Sequence, residues 1–193
     1  AASGAKPRRG HFEYKKTARV VRDGRGEIID SWDELTDIRF VESADGYVYL
    51  HEDPRAKRDG EGEVTHLAPY VLAGDTASTG EDYFSAKVIC NLDGKTAATL
   101  HVQHIDEDLY AEQLYCLGKL YNEALIGVEI NYSTHPTRVL VNQLRYPNLY
   151  MREILSTAGD KTVHEYGFET TTRTRRDIIA ELKALMRDHI ELE

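Results

Sequence analysis

The sequence predicts an α/β domain whose mixed five-stranded sheet is flanked by helices. Three apolar runs between residues 70 and 103 are separated by short turns, a pattern typical of an antiparallel meander. Apolar residues then recur at helical spacing over residues 106–124, and another apolar run begins at residue 125. Because the intervening helix carries the chain back across the sheet, we expect this fourth strand to run parallel to the first.

The first three strands are predicted at Tyr70–Gly74, Phe84–Cys90 and Thr96–Gln103. Between the second and third strands, Asp93-Gly94 is a dipeptide that favours a hairpin turn. These features indicate three consecutive antiparallel strands.

The second half of the chain supplies helices alternating with strands. The helix at Asp106–Ala124 leads to a strand at Leu125–Ile130, and a second helix is predicted at Thr137–Leu144. Asn148–Arg152 is predicted as the fifth strand, and Ser156–Val163 as a turn or small insertion.

A last helix is predicted to begin at a capping box, Thr174-x-x-Asp177, and to continue to about Asp188. Its apolar stripe consists of Ile178, Leu182, Leu185 and Met186.

Residues 1–45 combine weak periodicity with many charges, which indicates a basic N-terminal arm. A solvated linker is the alternative. We expect the main domain to occupy residues 46–193, beginning with a short strand at Gly46–His51 and a polar loop at Glu52–Glu63.

Composition places the chain among soluble globular proteins. Of its 193 residues, 41% are hydrophobic and 30% charged, and no apolar run approaches the roughly 20 residues of a membrane helix. The net charge of −9 argues against a protein that binds nucleic acid through charge alone. Cys90 and Cys116 are expected to be buried thiols, and His101 and His104 to face opposite ways, which argues against a shared zinc.

Two acidic residues end neighbouring strands of the predicted sheet. Asp75 follows the first strand and Glu129 nearly ends the fourth, so both side chains are expected at one edge. Two ionised carboxylates held there would repel each other, and a pair of Mg²⁺ or Mn²⁺ ions would relieve that repulsion. The alternative is that Asp75 merely starts a turn.

Such a pair of divalent ions suits one reaction in particular. Two ions about 3.5–4 Å apart can activate a water molecule and stabilise the leaving oxygen in phosphodiester cleavage. The acidic pair therefore predicts metal-assisted hydrolysis of a nucleic-acid backbone.

Five segments, in order, resemble the nuclease domain of phage large terminase subunits. Residues 70–84 are similar to the first nuclease motif of that family, and residues 121–131 to the second. Residues 46–54, 146–153 and 167–175 resemble further segments typical of the family.

The resemblance covers about residues 45–193 and implies an RNase H-like fold. It implies a Mg- or Mn-dependent endonuclease that cuts concatemeric double-stranded DNA during genome packaging. The implied cofactors are two divalent cations, and no nucleotide is expected to bind this chain. The implied partners are DNA, the terminase ATPase domain, the small terminase subunit and the portal protein. No association with a membrane is implied. The implied location is the bacterial host cytoplasm, with transient docking on the procapsid. Residues 1–45 would then be a basic arm or the remnant of a linker from the ATPase domain.

Carried over by position, Asp75 and Glu129 are implied as catalytic metal ligands. Asp82 matches a catalytic acidic position at or just beyond the metal, although it could instead cap the returning strand. The possible DNA contacts are Asn131, His135, Arg173, Arg175 and Arg176. Asn131 and His135 could equally have plain loop roles, and arginines at a helix start more often face solvent.

The sequence departs from the family pattern in two respects. The family carries a further aspartate, usually in a His-Asp-Asp run, beyond the point where this chain stops at Glu193. The implied domain is thus truncated before one metal ligand, and neither Asp177 nor Asp188 is expected to replace it. Because this third carboxylate is missing, the fragment is expected to be weakly active or inactive. The ATPase phosphate loop is also absent, because Gly74–Gly80 lacks the necessary lysine.

Three other functions remain open at this stage. A non-catalytic docking module of the packaging motor would retain partner binding after Glu129→Ala. Another RNase H-like nuclease, such as a junction resolvase, would prefer branched DNA. An actin-like or hexokinase-like ATPase would need a second lobe and micromolar ATP affinity.

Overall fold

A computed structural model describes residues 6–61, 63–77, 82–155 and 162–188. The strands, in chain order, are β1 (Arg8–Arg22), β2 (Ile28–Glu42), β3 (Val48–Leu50), β4 (Ala56–Arg58), β5 (Val64–Leu67), β6 (Tyr70–Asp75), β7 (Phe84–Cys90), β8 (Thr96–Val102), β9 (Leu125–Val128), β10 (Met151–Leu155) and β11 (Thr162–Tyr166). The helices are α1 (Glu107–Leu120), α2 (His135–Arg138), which continues into a π-helical segment at Val139–Gln143, and α3 (Thr172–Asp188).

Seven strands form the main sheet, in the order β2-β1-β3-β8-β7-β6-β9. Strands β6, β7 and β8 form the predicted antiparallel meander. Strand β9 pairs with β6 in parallel, with α1 as the crossover, as predicted. The α/β prediction is confirmed, and the sheet is larger than the five strands predicted.

The predicted fifth strand at Asn148–Arg152 is only partly present. Leu149 makes a single parallel bridge to Ile126 of β9, after which the chain leaves for the separate β10–β11 hairpin. The chain returns at Phe168, which makes a second parallel bridge, to Glu129. The place of the fifth strand is therefore shared by two short pieces with a hairpin inserted between them.

The insertion prediction for Ser156–Val163 is wrong at its end, because Thr162 and Val163 belong to β11. Residues 156–161 lie outside the described residues. Strand β11 carries threonine, histidine and glutamate among its five residues, so its hydrophobic alternation was too weak to predict it.

The N-terminal segment is a long β-hairpin rather than an irregular arm. Strands β1 and β2 pair along their length, and Arg8–Gly10 of β1 also pair with β3 of the main sheet. Cross-strand ion pairs, such as Lys15–Asp37 and Arg39–Glu13, explain why these strands look polar in the sequence. A domain boundary at residue 45 stays a prediction.

Three of the predicted elements differ in smaller ways from the observed ones. The polar loop at Glu52–Glu63 contains β4, which pairs with β5. Helix α1 begins after Asp106, whose side chain accepts from the Asp108 backbone N–H, and ends before Asn122, where the backbone turns left-handed with φ of 58°. The second helix begins at His135, two residues earlier than predicted.

Helix α3 begins at a cap different from the one predicted. Thr171 accepts from the Thr174 backbone N–H at 3.1 Å, and the Thr174 hydroxyl accepts from the Thr171 N–H at 2.8 Å. This reciprocal pair starts the helix at Thr172, so Thr174 lies inside it. Ile178 and Leu182 of the predicted stripe are about half exposed.

The hydrophobic core lies between α1 and the sheet. Leu114 and Leu117 of α1 are fully buried with Leu72 of β6 and Ile126 of β9. Cys90 and Cys116 are buried and free, as predicted. No described helix is long and apolar enough to cross a membrane.

Gln113 of α1 fastens the N-terminal hairpin to the core. Its Oε1 accepts from the Phe12 N–H at 2.8 Å, and its Nε2 donates to the Phe12 carbonyl at 2.9 Å. The side chain is only 1% exposed. Because β3 pairs with β1 only as far as Gly10, the amide of Gln113 replaces the missing strand partner of Phe12.

We predict that Gln113→Leu lowers the free energy of unfolding by about 2–4 kcal/mol, because it leaves a buried N–H and a buried C=O of Phe12 without partners. Urea unfolding measures the loss. The matched control is Gln143→Leu, at an exposed position, which should stay close to the wild type. Equal stability of the two variants would contradict the role of Gln113.

Candidate functional site

Asp75 is the last residue of β6, at the point where helix α1 closes over the strand. The Tyr110 hydroxyl, contributed by α1, lies 3.2 Å from the Asp75 carbonyl and 2.8 Å from the carbonyl of Ser85 on β7. A Cβ at Gly74 would lie 2.7 Å from that hydroxyl. Glycine is therefore required at residue 74 for Tyr110 to hold the backbone of Asp75 in place.

Glu129 is brought beside Asp75 by the parallel pairing of β6 and β9. Gly74 is paired with Val128, so the following residues, Asp75 and Glu129, are neighbours. The Glu129 N–H donates to the Gly74 carbonyl at 2.8 Å, and the Thr76 hydroxyl lies 3.4 Å from the Glu129 carbonyl. The structure thus brings together the two acids that the sequence analysis paired.

The two carboxyl groups interact strongly. Although Asp75 remains exposed as a residue, its carboxyl group is partly withdrawn from solvent, and this is the main reason that its pKa rises to about 6. A hydrogen bond to the Glu129 carboxyl and the negative charge of Glu129 raise the Asp75 pKa further. The Thr76 backbone N–H opposes the rise, and Asp82 adds a smaller electrostatic effect.

This donor set fits a hard divalent cation. A bound cation would favour the ionised form of both carboxyl groups, and oxygen ligands are those that Mg²⁺ and Mn²⁺ prefer. Within the described ranges, no group of three or more potential ligands is assembled. The roles of Asp75, Glu129 and Asp82 as catalytic residues, and of the first two as metal ligands, stay predictions.

Of the other acids considered, Asp177 is exposed on α3. The side chain of Asp188 lies outside the described part of the chain.

Asn131 fixes the segment that follows Glu129. Its Nδ2 donates to the Thr170 carbonyl at 2.7 Å, and its Oδ1 accepts from the Thr170 N–H at 2.6 Å. Beside it, the Ile130 N–H donates to the Phe168 carbonyl at 2.9 Å. These contacts give Asn131 the loop role considered as the alternative, and its predicted contact with DNA is untested.

The remaining predicted DNA contacts lie in two places. His135 begins α2, and its Nε2 lies 2.7 Å from Oδ1 of Asp108 on α1, which ties the two helices together. Arg173, Arg175 and Arg176 are exposed in the first turns of α3. Contact of these four residues with DNA stays a prediction.

Two residues of the site were missed by the sequence analysis, Tyr110 and Thr76. Tyr110 lies on the apolar side of α1 with Leu114 and Leu117, so it looked like an ordinary core residue. One feature of the sequence could have indicated the contact between Tyr110 and the Asp75 backbone: a tyrosine on the crossover helix together with a glycine directly before Asp75. Thr76 gave no comparable signal.

Comparison with protein-family models and with curated proteins gives no match to this chain. Solved structures do match. The large terminase nuclease from thermophilic phage G20c with bound magnesium is 13% identical, with a TM-score of 0.51 over 76% of this chain and 63% of that chain. The same nuclease with bound zinc is 16% identical, with a TM-score of 0.51 over 76% of this chain and 69% of that chain. Its form with bound cobalt is 12% identical, with a TM-score of 0.50 over 76% of this chain and 63% of that one.

The chain thus spans a little under two thirds of the magnesium- and cobalt-bound nuclease structures that it matches. At this level of identity the likeness concerns the fold. The described chain has the RNase H-like fold of the large terminase nuclease, as the sequence analysis predicted.

Proposed function

We propose that this chain is the nuclease domain of a viral large terminase subunit, a metal-dependent endonuclease that cleaves concatemeric double-stranded DNA during genome packaging. The observation that carries the proposal is the Asp75–Glu129 pair, which the parallel pairing of β6 and β9 brings together at the edge of a sheet with the fold of the terminase nuclease. Two acids kept together against their mutual repulsion are costly for folding, which favours a binding role over a structural one.

The residues of the site divide into those that hold the cations and those that position them. Asp75 and Glu129 would hold two divalent cations, Mg²⁺ or Mn²⁺, with Asp82 beside them. When bound, such ions supply charge stabilisation to a phosphodiester undergoing hydrolysis. Tyr110 fixes the backbone of Asp75, and Asn131 fixes the segment after Glu129.

Terminase function implies a defined setting for this domain. We propose double-stranded DNA as substrate, and the terminase ATPase domain, the small terminase subunit and the portal protein as partners. The domain would act in the cytoplasm of the bacterial host, docked transiently on the procapsid. The large terminase nuclease of phage G20c has been solved with magnesium, zinc and cobalt, which supports a divalent cation in general.

A second candidate is a non-catalytic docking module of the packaging motor. One observation favours it: in the described part of the chain, no group of three or more potential metal ligands is assembled. Such a module would bind its partner equally well after Glu129→Ala.

We predict that the wild-type protein cleaves plasmid DNA in the presence of Mn²⁺ and that Asp75→Ala reduces the rate at least about 100-fold, because the cations lose a ligand. Conversion of supercoiled plasmid to nicked and linear forms measures the rate. Asp177→Ala, which removes an exposed acid of α3, is the matched control and should retain the wild-type rate. Cleavage by Asp75→Ala at the wild-type rate would count against the nuclease, as would no cleavage by both the wild type and a longer chain that includes the family's further aspartate.

A second prediction concerns the pH dependence of stability without metal. The folded-state pKa of Asp75, about 6, lies above its ordinary value of roughly 3.9. The folded state therefore binds more protons between these values, and the stability contributed by Asp75 is lost as pH rises through about 6. Asp75→Asn should avoid this loss, so its Tm relative to that of the wild type should be higher at pH 7.5 than at pH 4.5 in EDTA.

The same melting experiment contains its own controls. Asp177→Asn should show no such change relative to the wild type between the two pH values. Adding Mg²⁺ at pH 7.5 should raise the Tm of the wild type and leave that of Asp75→Asn nearly unchanged, because only the former retains both carboxylates. Parallel pH profiles of the wild type and Asp75→Asn would refute the coupling.

A further inference from the structure

One face of the main sheet is left uncovered by the described helices. Along β6, Tyr70, Leu72 and Gly74 are buried under α1, whereas Ala73 and Asp75 on the opposite face are exposed. Strand β7 alternates in the same sense, with Lys87 exposed. The acidic pair therefore opens onto a broad face of the sheet.

Strand register arranges the side chains of this open face into two rows that cross the sheet. The first row begins at the acidic pair with Asp75, Ser85 and His101. It continues through Tyr47, which directly precedes β3, to His11 of β1. The second row, beside the first, is Ala73, Lys87, Thr99, Tyr49 and Arg9. The second row crosses five strands, β6, β7, β8, β3 and β1, which is about 19 Å at the usual strand spacing of about 4.8 Å.

The open face carries two exposed cations, Lys87 and Arg9, although the whole chain has a net charge of −9. Lys87 and Arg9 are exposed, and neither forms an ion pair with an acid in the described ranges. Arg9 uses its Nε to hold the Gly46 carbonyl at 2.6 Å and lies over the ring of Tyr49 at 5.5 Å. The acid on the same face of β1, Glu13, is paired with Arg39.

Rings and hydrogen-bond donors lie between these cations. Tyr83, 46% exposed, is stacked on His101 at 4.3 Å between ring centroids, and His11 is stacked on Tyr47 at 6.2 Å. Tyrosine hydroxyls, imidazole N–H groups and threonine hydroxyls are donors that commonly bind phosphate oxygens, as lysine and arginine do.

The shape of the face suits an extended chain. A cavity of about 450 Å³ extends over β6, β7 and β8 and is lined by Asp75, Lys87 and His101. A second cavity, of about 770 Å³, is lined by Tyr49 and Arg9 at the other end of the rows. A length of about 19 Å is enough to contact several successive phosphates of one DNA strand.

We propose that this open face is a track for the sugar–phosphate backbone of duplex DNA, which positions one strand at the Asp75–Glu129 pair. The proposal rests on the proposed nuclease function and adds to it the residues that guide the substrate: Lys87 at the near end and Arg9 at the far end. The continuity of the track with the acidic pair favours DNA over an acidic peptide, which would have no reason to extend to that pair.

The test is DNA binding in EDTA, where no cleavage occurs. Fluorescence anisotropy with a short labelled duplex gives the Kd at several salt concentrations. Lys87→Glu should weaken binding about tenfold and make the slope of log Kd on log salt shallower by about one, because one phosphate contact is lost. The matched control is Lys95→Glu, the same charge reversal at the β7–β8 turn, at the end of these strands away from Asp75; it should bind like the wild type.

The outcomes separate this proposal from the nuclease itself. If Lys87→Glu and Lys95→Glu bind DNA equally and show the same salt slope, the track is wrong, even if the wild type cleaves DNA. If binding depends on Lys87 but neither the wild type nor the longer chain cleaves with Mn²⁺, the track stands and the nuclease proposal fails. Because Lys87 is exposed, its variant should keep the wild-type Tm; if it does not, Lys87→Gln replaces it and should weaken binding in the same direction.

Discussion

Parallel pairing of β6 with β9 is the constraint on which the candidate site depends. It aligns Gly74 with Val128 and so makes neighbours of two acids that are more than fifty positions apart in the chain. Helix α1 supports the pairing, because it leads directly into β9 and buries Leu114 and Leu117 in the core with residues of both strands. The packing of an apolar helix thus balances the repulsion between the carboxyl groups of Asp75 and Glu129.

The sequence was most informative where local pattern and tertiary structure agree. The meander, the crossover helix and the parallel fourth strand follow from apolar periodicity, and they are enough to predict that Asp75 and Glu129 meet. The N-terminal hairpin was missed because its strands are stabilised by paired charges, such as Lys15 with Asp37. In the sequence alone, so many charged residues are typical of a solvated arm. Strand β11 was missed for a related reason, since its residues are mostly polar.

Other features of the site could not be predicted because they depend on contacts between distant segments. Nothing near Asn131 in the sequence indicates that its amide is bound by the backbone of Thr170, and nothing near Phe12 indicates Gln113. The two amides act alike: each one replaces a strand partner where regular pairing stops. Such side chains continue the backbone hydrogen bonding of the sheet where strand pairing ends. Asn131 does so in the segment that follows Glu129.

The hairpin formed by β10 and β11 leaves the sheet after Tyr150 and returns before Phe168, and both flanking pieces are bonded directly to β9. The Tyr150 N–H donates to the Ile126 carbonyl at 2.8 Å, and the Phe168 N–H donates to the Val128 carbonyl at 2.8 Å. The backbone beside Glu129 is thus anchored independently of whatever lies between these two points. That hairpin can be lengthened, shortened or exchanged without disturbing the acidic pair, so it is a position in the fold that tolerates large changes of sequence.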